Sequence, residues 1–272
     1  MILTPRIAGA ERIAVSLLSA LKDDYAGSLG LFLLGGSSES LPAWPGRVVG
    51  LWSVLFGRYD VIHSHLFLPG VFVRFRRLGD KRFRWVHSVH YHDYRAMRLG
   101  GFKRWVDHRW ICPAPDRLVA VSEKVDKSLG PISGKTLIPN GLDLTPARRR
   151  ESAQVRPVIG SVAMLRSEKG IDDLILAAEE LKQSLPDMLV RVAGDGPLMS
   201  ELRTLVMDRD LGGTVELLGY VQNLDEFYKA LDVYVLGSRD EGFGLAALEA
   251  FRFGLPIVAA DTGFLPELLG EG

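Results

Sequence analysis

Two glutamates, Glu241 and Glu249, stand eight residues apart in a glycine-containing segment of the chain. At about 100° per residue, eight residues return to nearly the same face of a helix, so both carboxylates are expected to line one cleft. A carboxylate that accepts hydrogen bonds from vicinal hydroxyls is a common way to hold a ribose. The pair therefore predicts a nucleotide site. The alternative is one loop glutamate and one glutamate on a helix surface.

The glycines between these glutamates favour a phosphate site. Gly242 and Gly244 allow the backbone to approach a ligand closely. The N–H groups of Phe243, Gly244 and Leu245 are then expected to open a helix. Helix N-termini bind phosphate oxygens through their unsatisfied N–H donors and their dipole.

A rival interpretation assigns the same glycines to the dinucleotide fingerprint of a nicotinamide-dependent oxidoreductase. Its residues form the pattern Gly242-x-Gly244-x-x-Ala247, followed by Asp261 19 residues after the first glycine. Two observations weigh against it. Five residues, three of them charged, separate the preceding strand from the first glycine. Glu241 would also face a pyrophosphate with no positive group to offset its charge.

Short apolar runs alternate with helical patterns along the chain, which predicts an α/β fold with mostly parallel sheets. Buried strands are expected at 60–63, 85–89, 116–121, 136–138, 158–165, 189–193, 214–218, 233–236 and 256–260. Helices are expected at 10–21, 171–185 and 244–252. A polar, arginine-containing linker at 144–156 predicts two α/β domains, residues 1–150 and 151–272.

Segments spread over nearly the whole chain resemble the retaining GT-B glycosyltransferases, above all glycosyltransferase family 4. The resemblance implies two Rossmann-like domains facing a cleft. Segment 241–249 resembles the Glu-x7-Glu motif of that family, and seven further segments match in the family's order. They are Ala8-Gly9-Ala10-Glu11-Arg12, Asp60-Val61-Ile62-His63-Ser64-His65, Val119-Ala120-Val121-Ser122-Glu123, Ile138-Pro139-Asn140-Gly141-Leu142-Asp143, Glu168-Lys169-Gly170, Ala193-Gly194-Asp195-Gly196-Pro197 and Gly219-Tyr220.

The resemblance implies a role for each matching residue of the donor site. Lys169 would neutralise the donor diphosphate, Glu241 would contact the transferred sugar near its reacting carbon, and Glu249 would hold the ribose hydroxyls. The backbone at Phe243 and Gly244 would approach the phosphates and the sugar.

In the other domain, the resemblance implies that Gly9 approaches the donor and that His90 lines the acceptor side. His92 is the alternative to His90, and a strand-end histidine without a role is another. The chain departs from the family at Met164, where an arginine is usual, so that Arg166 would have to supply the second positive charge. The family also continues beyond this end of the chain, so an incomplete second domain is expected.

Charge is divided unevenly between the two predicted domains. Residues 1–150 contain 23 Lys+Arg and 12 Asp+Glu, whereas residues 151–272 contain 10 and 21. Basic residues interleaved with aromatic ones favour an anionic membrane surface or an anionic acceptor, and a solvated basic face is the alternative. Nucleic acid is not expected, because no binding motif accompanies the charge. The residues concerned are Arg74, Phe75, Arg76, Arg77, Lys81, Arg82, Phe83, Arg84, Trp85, Lys103, Arg104 and Arg109.

The single cysteine, Cys112, fits a reducing compartment. With neither a signal peptide nor a spanning segment recognised, we expect a cytoplasmic protein, peripheral at most to the inner membrane face. No metal is expected, because His63 and His65 share a strand face without a third ligand nearby. Asp208 and Asp210 are interpreted as surface residues.

The sequence thus predicts transfer of a hexose from a nucleotide diphosphate sugar to a hydroxyl of a glycan or lipid-linked acceptor, without a cofactor. Retention of anomeric configuration is implied by the resemblance alone. The alternatives are the NAD-dependent oxidoreductase and an inactive, truncated module that binds sugar nucleotides.

Overall fold

The computed structural model describes residues 9–21, 30–31, 47–48, 51–90, 100–141, 146–147, 156–241 and 243–262. Some residues that carry sequence predictions lie outside these ranges. They are Ala8, Gly242, His92, Asp143 and most of the linker at 144–156.

The chain divides into two compact units, Met1–Leu142 and Asp143–Gly272. The division falls just before the predicted linker. Each unit contains its own parallel sheet and its own clusters of buried apolar side chains.

The first unit alternates strands with helices. Its described strands are β1 (Gly30–Leu31), β2 (Arg47–Val48), β3 (Val61–His65), β4 (Arg84–Val89), β5 (Arg117–Ala120) and β6 (Lys135–Leu137). Its described helices are α1 (Gly9–Leu21), α2 (Leu51–Phe56), α3 (Phe67–Gly79), α4 (Gly100–Val106), which continues as a π-helical turn (Asp107–Ile111), and α5 (Glu123–Leu129). The sheet has the order β3-β4-β5-β6 and is parallel throughout, and β1 and β2 form a separate parallel pair.

The second unit repeats the pattern. Its described strands are β7 (Val158–Val162), β8 (Leu189–Ala193), β9 (Val215–Gly219), β10 (Val233–Leu236) and β11 (Ile257–Ala259). Its described helices are a 3₁₀ turn (Ser167–Lys169), α6 (Ile171–Leu181), α7 (Met199–Asp208), α8 (Leu224–Lys229) and α9 (Leu245–Arg252). The parallel sheet has the order β11-β10-β7-β8-β9.

Strand β8 shows why these runs form a buried sheet. Leu189 and Ala193 belong to one buried cluster, whereas Val190 and Val192 belong to the other. Successive side chains of a strand point to opposite faces, so β8 is covered by apolar residues on both sides. This is the arrangement that parallel sheets require, and it explains the nearly continuous apolar sequence.

Two predicted elements end three or four residues earlier than expected. The predicted strand 158–165 stops at Val162, because the following chain turns to pair with the loop after β8, where the Leu165 amide donates to the Asp195 carbonyl at 3.1 Å. The predicted helix 171–185 stops at Leu181, and Pro186 biases the residue before it away from helical geometry. Helices α3 and α4 were missed, because their sequences were interpreted only as basic stretches.

Candidate donor site and a histidine cluster

The second sheet reverses its winding at β7. Strands β8 and β9 are added on one side of β7, and β10 and β11 on the other. In open α/β sheets, ligands bind beyond the carboxyl ends of the strands at such a switch point. The segments that leave β7 and β10 at this edge carry Lys169 and Glu241, respectively.

Lys169 and Glu241 form an ion pair although they are 72 residues apart in the sequence. The lysine Nζ lies 2.7 Å from the carboxylate Oε2, and the Ser238 hydroxyl donates to the same oxygen at 3.2 Å. The two charged side chains remain 22% and 15% exposed, so the pair is accessible to a ligand. The structure thus brings together the two residues that the sequence assigned to the diphosphate and to the sugar.

The backbones of the two loops fix this pair. The amide of Arg239 donates to the carbonyl of Glu168 at 2.9 Å. Gly170 has a φ of +61°, and a Cβ at this position would stand 2.1 Å from the Gly237 carbonyl oxygen. Glycine is required here, because a side chain would be strained by the positive φ and would clash with backbone.

The guanidinium of Arg239 ties the same loop to the start of α6. It lies 2.7 Å from the carboxylates of both Asp172 and Asp173, and it donates to the Ser167 carbonyl at 2.7 Å. Hydrogen bonds to the two carboxylates raise the pKa of Arg239. Burial alone would raise the pKa of Asp172, but hydrogen bonds from Arg239 and from nearby backbone outweigh it and lower that pKa. Sequence reasoning had assigned no role to Arg239.

Helix α9 begins directly after Gly244, whose backbone is left-handed, with φ 84° and ψ 41°. This conformation favours glycine. Phe243 is only 6% exposed, so its ring anchors the turn. The backbone of Phe243 and Gly244 therefore stands at a helix N-terminus, as the sequence predicts, and the helix starts one residue later than expected.

Glu249 is half-buried in α9, and its Oε2 accepts a hydrogen bond from the Tyr228 hydroxyl at 2.9 Å. Burial raises the pKa of a second tyrosine, Tyr234, and the negative charges of Glu249 and Glu241 raise it further.

The residues that depart from the family's pattern are exposed. Met164 is 41% exposed. The Arg166 side chain is 52% exposed, and its guanidinium lies 4.0 Å from the Glu168 carboxylate. A role for Arg166 in binding the diphosphate stays a prediction.

One argument made from the sequence is wrong. No positive group was expected near Glu241, yet the Lys169 Nζ lies 2.7 Å from it. That argument therefore does not weigh against a dinucleotide site. The other argument remains, because residues 237–241 separate the end of β10 from the first glycine of the fingerprint.

A histidine cluster lies in the first unit, on β3 and at the end of β4. Three side-chain contacts join the two strands: His63 with Ser88 at 2.8 Å, Ser64 with His87 at 2.8 Å, and His65 with His90 at 3.0 Å. Because alternate side chains of a strand point to opposite faces, the first and third contacts share one face of the sheet. The predicted acceptor residue is therefore held by a neighbouring histidine, which the sequence did not indicate.

These imidazoles are neutral at pH 7. Burial lowers the pKa of His63 to about 4, and it lowers the pKa of His90 to about 4 with a further contribution from His63. Burial lowers the pKa of His87 to about 3 and that of His65 well below its ordinary value. A neutral imidazole can exchange a hydrogen bond with a hydroxyl but supplies no positive charge.

A further buried cluster, which the sequence did not predict, is formed by His87, Asp107 and Cys112. Each residue is 1% exposed, and their ligand-type atoms lie within 4.8 Å of one another. The π-helical turn brings two of them together, since the Cys112 amide donates to the Asp107 carbonyl at 2.8 Å. Burial raises the pKa of the Cys112 thiol, and the Asp107 carboxylate raises it further. The expectation of no metal stays a prediction.

Gly9 is the first residue of α1. Its predicted approach to the donor stays a prediction. Among the described residues, no helix combines the length and the apolar character needed to cross a bilayer.

Solved structures share this architecture along the whole chain. HepE of Anabaena, in complex with UDP and glucose, gives a TM-score of 0.82 at 20% identity over 100% of this chain and 83% of that chain. Sucrose-phosphate synthase of Thermosynechococcus elongatus gives a TM-score of 0.72 at 18% identity over 97% and 78%. The fold is that of the GT-B class of glycosyltransferases.

The family follows from the sequence match. Residues 4–146 match the family described as Glycosyltransferase Family 4, and residues 147–272 match that described as Glycosyl transferases group 1. The chain belongs to glycosyltransferase family 4.

Curated relatives are longer than this chain. It is 34% identical to the lipopolysaccharide core biosynthesis mannosyltransferase of Rhizobium meliloti over 54% of its length and 41% of that protein. It is 31% identical to the D-inositol 3-phosphate glycosyltransferase of Corynebacterium urealyticum over 88% of its length and 65% of that protein. The chain thus spans less than two thirds of the curated relatives it matches.

Proposed function

We propose that this chain transfers a hexose from a nucleotide diphosphate sugar to a hydroxyl of a glycan or lipid-linked acceptor, with retention of configuration. The observation that carries the proposal is the accessible Lys169–Glu241 pair, 2.7 Å apart at the switch point of the second sheet. A cation can stabilise the diphosphate as it leaves, and a carboxylate beside it can stabilise the positive charge that develops at the sugar carbon.

In the proposed reaction, the bond between the anomeric carbon and the phosphate oxygen breaks while the acceptor oxygen bonds to the same carbon. The departing phosphate takes the proton of the acceptor hydroxyl, so no separate base is needed. Lys169 stabilises the charge that develops on the diphosphate, and Glu241 faces the sugar. Glu249 holds the ribose, and the turn at Phe243 and Gly244 approaches the phosphates.

The acceptor class is supported by the relatives. Several act in the biosynthesis of lipopolysaccharide core or O-antigen, according to their names. We assign His90 to the acceptor side, where its half-buried, neutral imidazole would exchange a hydrogen bond with a hydroxyl.

A thermal-shift panel tests donor binding. UDP, GDP, ADP and NAD are compared, because a ligand that binds only the folded protein raises its melting temperature. One nucleoside diphosphate is expected to stabilise the protein, and Glu249→Ala is expected to remove most of that shift. Stabilisation by NAD alone would favour the oxidoreductase, and binding without donor turnover would favour an inactive binding module. Transfer measured with and without EDTA tests the expectation that no metal is required.

We also infer that the first unit contacts an anionic membrane, through fewer residues than the sequence suggested. Arg76 is 7% exposed, and its guanidinium donates to the Gly57 carbonyl at 2.6 Å. Arg77 donates two hydrogen bonds to Asp116, at 3.0 and 2.9 Å. These two arginines stabilise the fold, so their sequence assignment to a membrane surface is wrong.

The sequence assignment of Phe83 and Trp85 is wrong as well, because these rings are only 1% and 0% exposed. What we call the aromatic face is made by Phe75, which the sequence named, and by Phe102, Trp105 and Trp110, which it did not. The first three are 58%, 63% and 61% exposed. The rings of Phe75 and Trp110 are 4.9 Å apart, and the Arg74 guanidinium lies 5.5 Å from the Trp110 ring. Helix α3 is thus joined to the α4 segment by aromatic contacts.

The surroundings of the aromatic face are basic. Apart from Arg76 and Arg77, residues 67–79 and 100–111 contain four Lys+Arg and one acidic residue, Asp107, which is 1% exposed. A cavity of about 500 Å³ on this face is lined by Trp105, Val106, Arg109 and Trp110. Exposed aromatic rings with adjacent cations suit the headgroup region of an anionic bilayer.

Vesicle flotation tests the contact. Binding to vesicles of phosphatidylcholine with phosphatidylglycerol should exceed binding to phosphatidylcholine alone and should weaken in salt. Phe102→Ser with Trp105→Ser should abolish it, whereas Phe251→Ser, which changes a 62% exposed ring of the second unit, should not. Equal binding to both vesicle types, or none, would rule the contact out.

A further inference from the structure

Tyr228 lies beside the proposed ribose carboxylate but belongs to a different helix. It is 1% exposed in α8, and its hydroxyl donates to Glu249 Oε2 at 2.9 Å. The same hydroxyl lies 3.3 Å from the Ala246 carbonyl oxygen, one turn earlier in α9. The bond to the carboxylate is the shorter one, and a charged acceptor makes it the stronger one.

The ring of Tyr228 is held on several sides. It stacks on Phe253 with ring centroids 5.4 Å apart and an interplanar angle of 21°. The ring of Phe227 lies edge-on at 5.8 Å, and that of Tyr234 lies at 5.7 Å. Because the ring sits in a packed apolar cluster, its hydroxyl is a fixed point in the unit.

The hydroxyl therefore fixes the carboxylate before any ligand arrives. A glutamate has three side-chain torsions, and ordering them costs free energy if it happens only on binding. In α9, Glu249 is already tied at Oε2. Preorganisation of this kind improves binding without adding a contact to the ligand.

We propose that Tyr228 is a positioning residue that holds the Glu249 carboxylate in the orientation that receives the ribose. The inference rests on the proposed function, since it concerns the nucleotide of the same donor site. Tyr228 itself does not contact the ligand in this scheme.

The primary test is Tyr228→Phe, which keeps the ring and removes the hydroxyl. The affinity for the best nucleoside diphosphate of the panel should fall about tenfold, since a hydrogen bond to a charged group is lost. Calorimetric titration measures the affinity. Tyr59→Phe makes the same chemical change in the first unit, and it should leave the affinity unchanged.

Two readouts separate positioning from a general loss of stability. A 2′,3′-dideoxy nucleoside diphosphate lacks the ribose hydroxyls, so the wild type and Tyr228→Phe should bind it equally. In the Glu249→Gln background, Tyr228→Phe should cause no further loss, because the pair acts as a unit. A merely structural role would weaken both nucleotides and would add to the Glu249 substitution.

The outcomes distinguish this inference from the function on which it rests. If Glu249→Gln leaves nucleotide affinity unchanged, the ribose role itself fails. If Glu249→Gln weakens binding while Tyr228→Phe does not, the donor site stands and the positioning role is overturned.

Discussion

The two units of this chain share a parallel α/β architecture, but their candidate sites differ in how polar side chains are neutralised. All six histidines lie at positions 63–108 of the first unit, where four of them, His63, His65, His87 and His90, pair with serine or with each other. The second unit contains no histidine, and its candidate site uses lysine, arginine and carboxylates in ion pairs. One fold pattern therefore supports an uncharged hydrogen-bonding surface in one unit and a charged one in the other. The proposed reaction would use both surfaces, since its acceptor hydroxyl is neutral and its donor is anionic.

The strongest test of this contrast removes charge from the second unit. Lys169→Met should lower the rate of transfer by roughly 100-fold or more, because the leaving diphosphate loses a cation that stabilises its developing charge. It also leaves the partly buried Glu241 without its ion-pair partner. Donor turnover is the measurement, and far-ultraviolet circular dichroism checks the fold. A rate within threefold of the wild type would show that Lys169 does not stabilise the leaving diphosphate.

Low pH should destabilise the first unit. His63 and His90 have a pKa of about 4 in the folded chain against about 6.5 when unfolded, so the unfolded chain binds more protons between these values. The contribution of these histidines to the free energy of unfolding is therefore fully present above about pH 6.5, and it is lost as the pH decreases toward 4. We expect the melting temperature of the first unit to fall by about 5 °C or more over this range.

Histidine NMR checks the cause of that loss. Imidazole protons of the cluster should titrate well below the ordinary value of about 6.5. Limited proteolysis at pH 5 should cleave the first unit before the second, which lacks histidine. Ordinary titration of all imidazoles, or earlier cleavage of the second unit, would contradict the contrast.

The smallest of the three effects concerns the glycine between the two site loops. Gly170→Ala should destabilise the second unit by about 1–3 kcal/mol, because of its positive φ and the clash with the Gly237 carbonyl. Gly254→Ala is a matched control, since its φ is +64° but no atom lies within 4 Å of the added Cβ. Urea unfolding of both variants separates the free-energy cost of the clash from the cost of placing alanine at a positive φ. Equal destabilisation would show that the loops can move apart.

The sequence predicted those parts of the molecule that depend on local patterns or on family resemblance. The strands around β8 could be predicted because their apolar runs are nearly continuous, and Lys169 and Glu241 could be assigned because their neighbours in sequence match a family. The sequence did not indicate that these two side chains form an ion pair, because the contact depends on β7 and β10 being neighbours.

The remaining site residues escaped prediction for a similar reason. The hydroxyl of Tyr228 contacts Glu249 only because α8 and α9 pack around one aromatic cluster, and no spacing rule relates the two positions. The basic stretch from Arg74 onward was misjudged for another reason. The number of charges can be read from a sequence. The carbonyl and the carboxylate that Arg76 and Arg77 contact can be identified only in the folded structure.

The order of strands in the second sheet has a consequence for synthesis of the protein. Lys169 leaves the ribosome 72 residues before Glu241, and β10, which must lie beside β7, emerges late. The donor pair can therefore assemble only after nearly the whole unit has been translated. Under the proposed function, a nascent chain would not bind sugar nucleotide early, and the donor would stabilise only units in which this pair has formed. In a cell short of activated sugar, the same linkage would shorten the lifetime of the newly made protein.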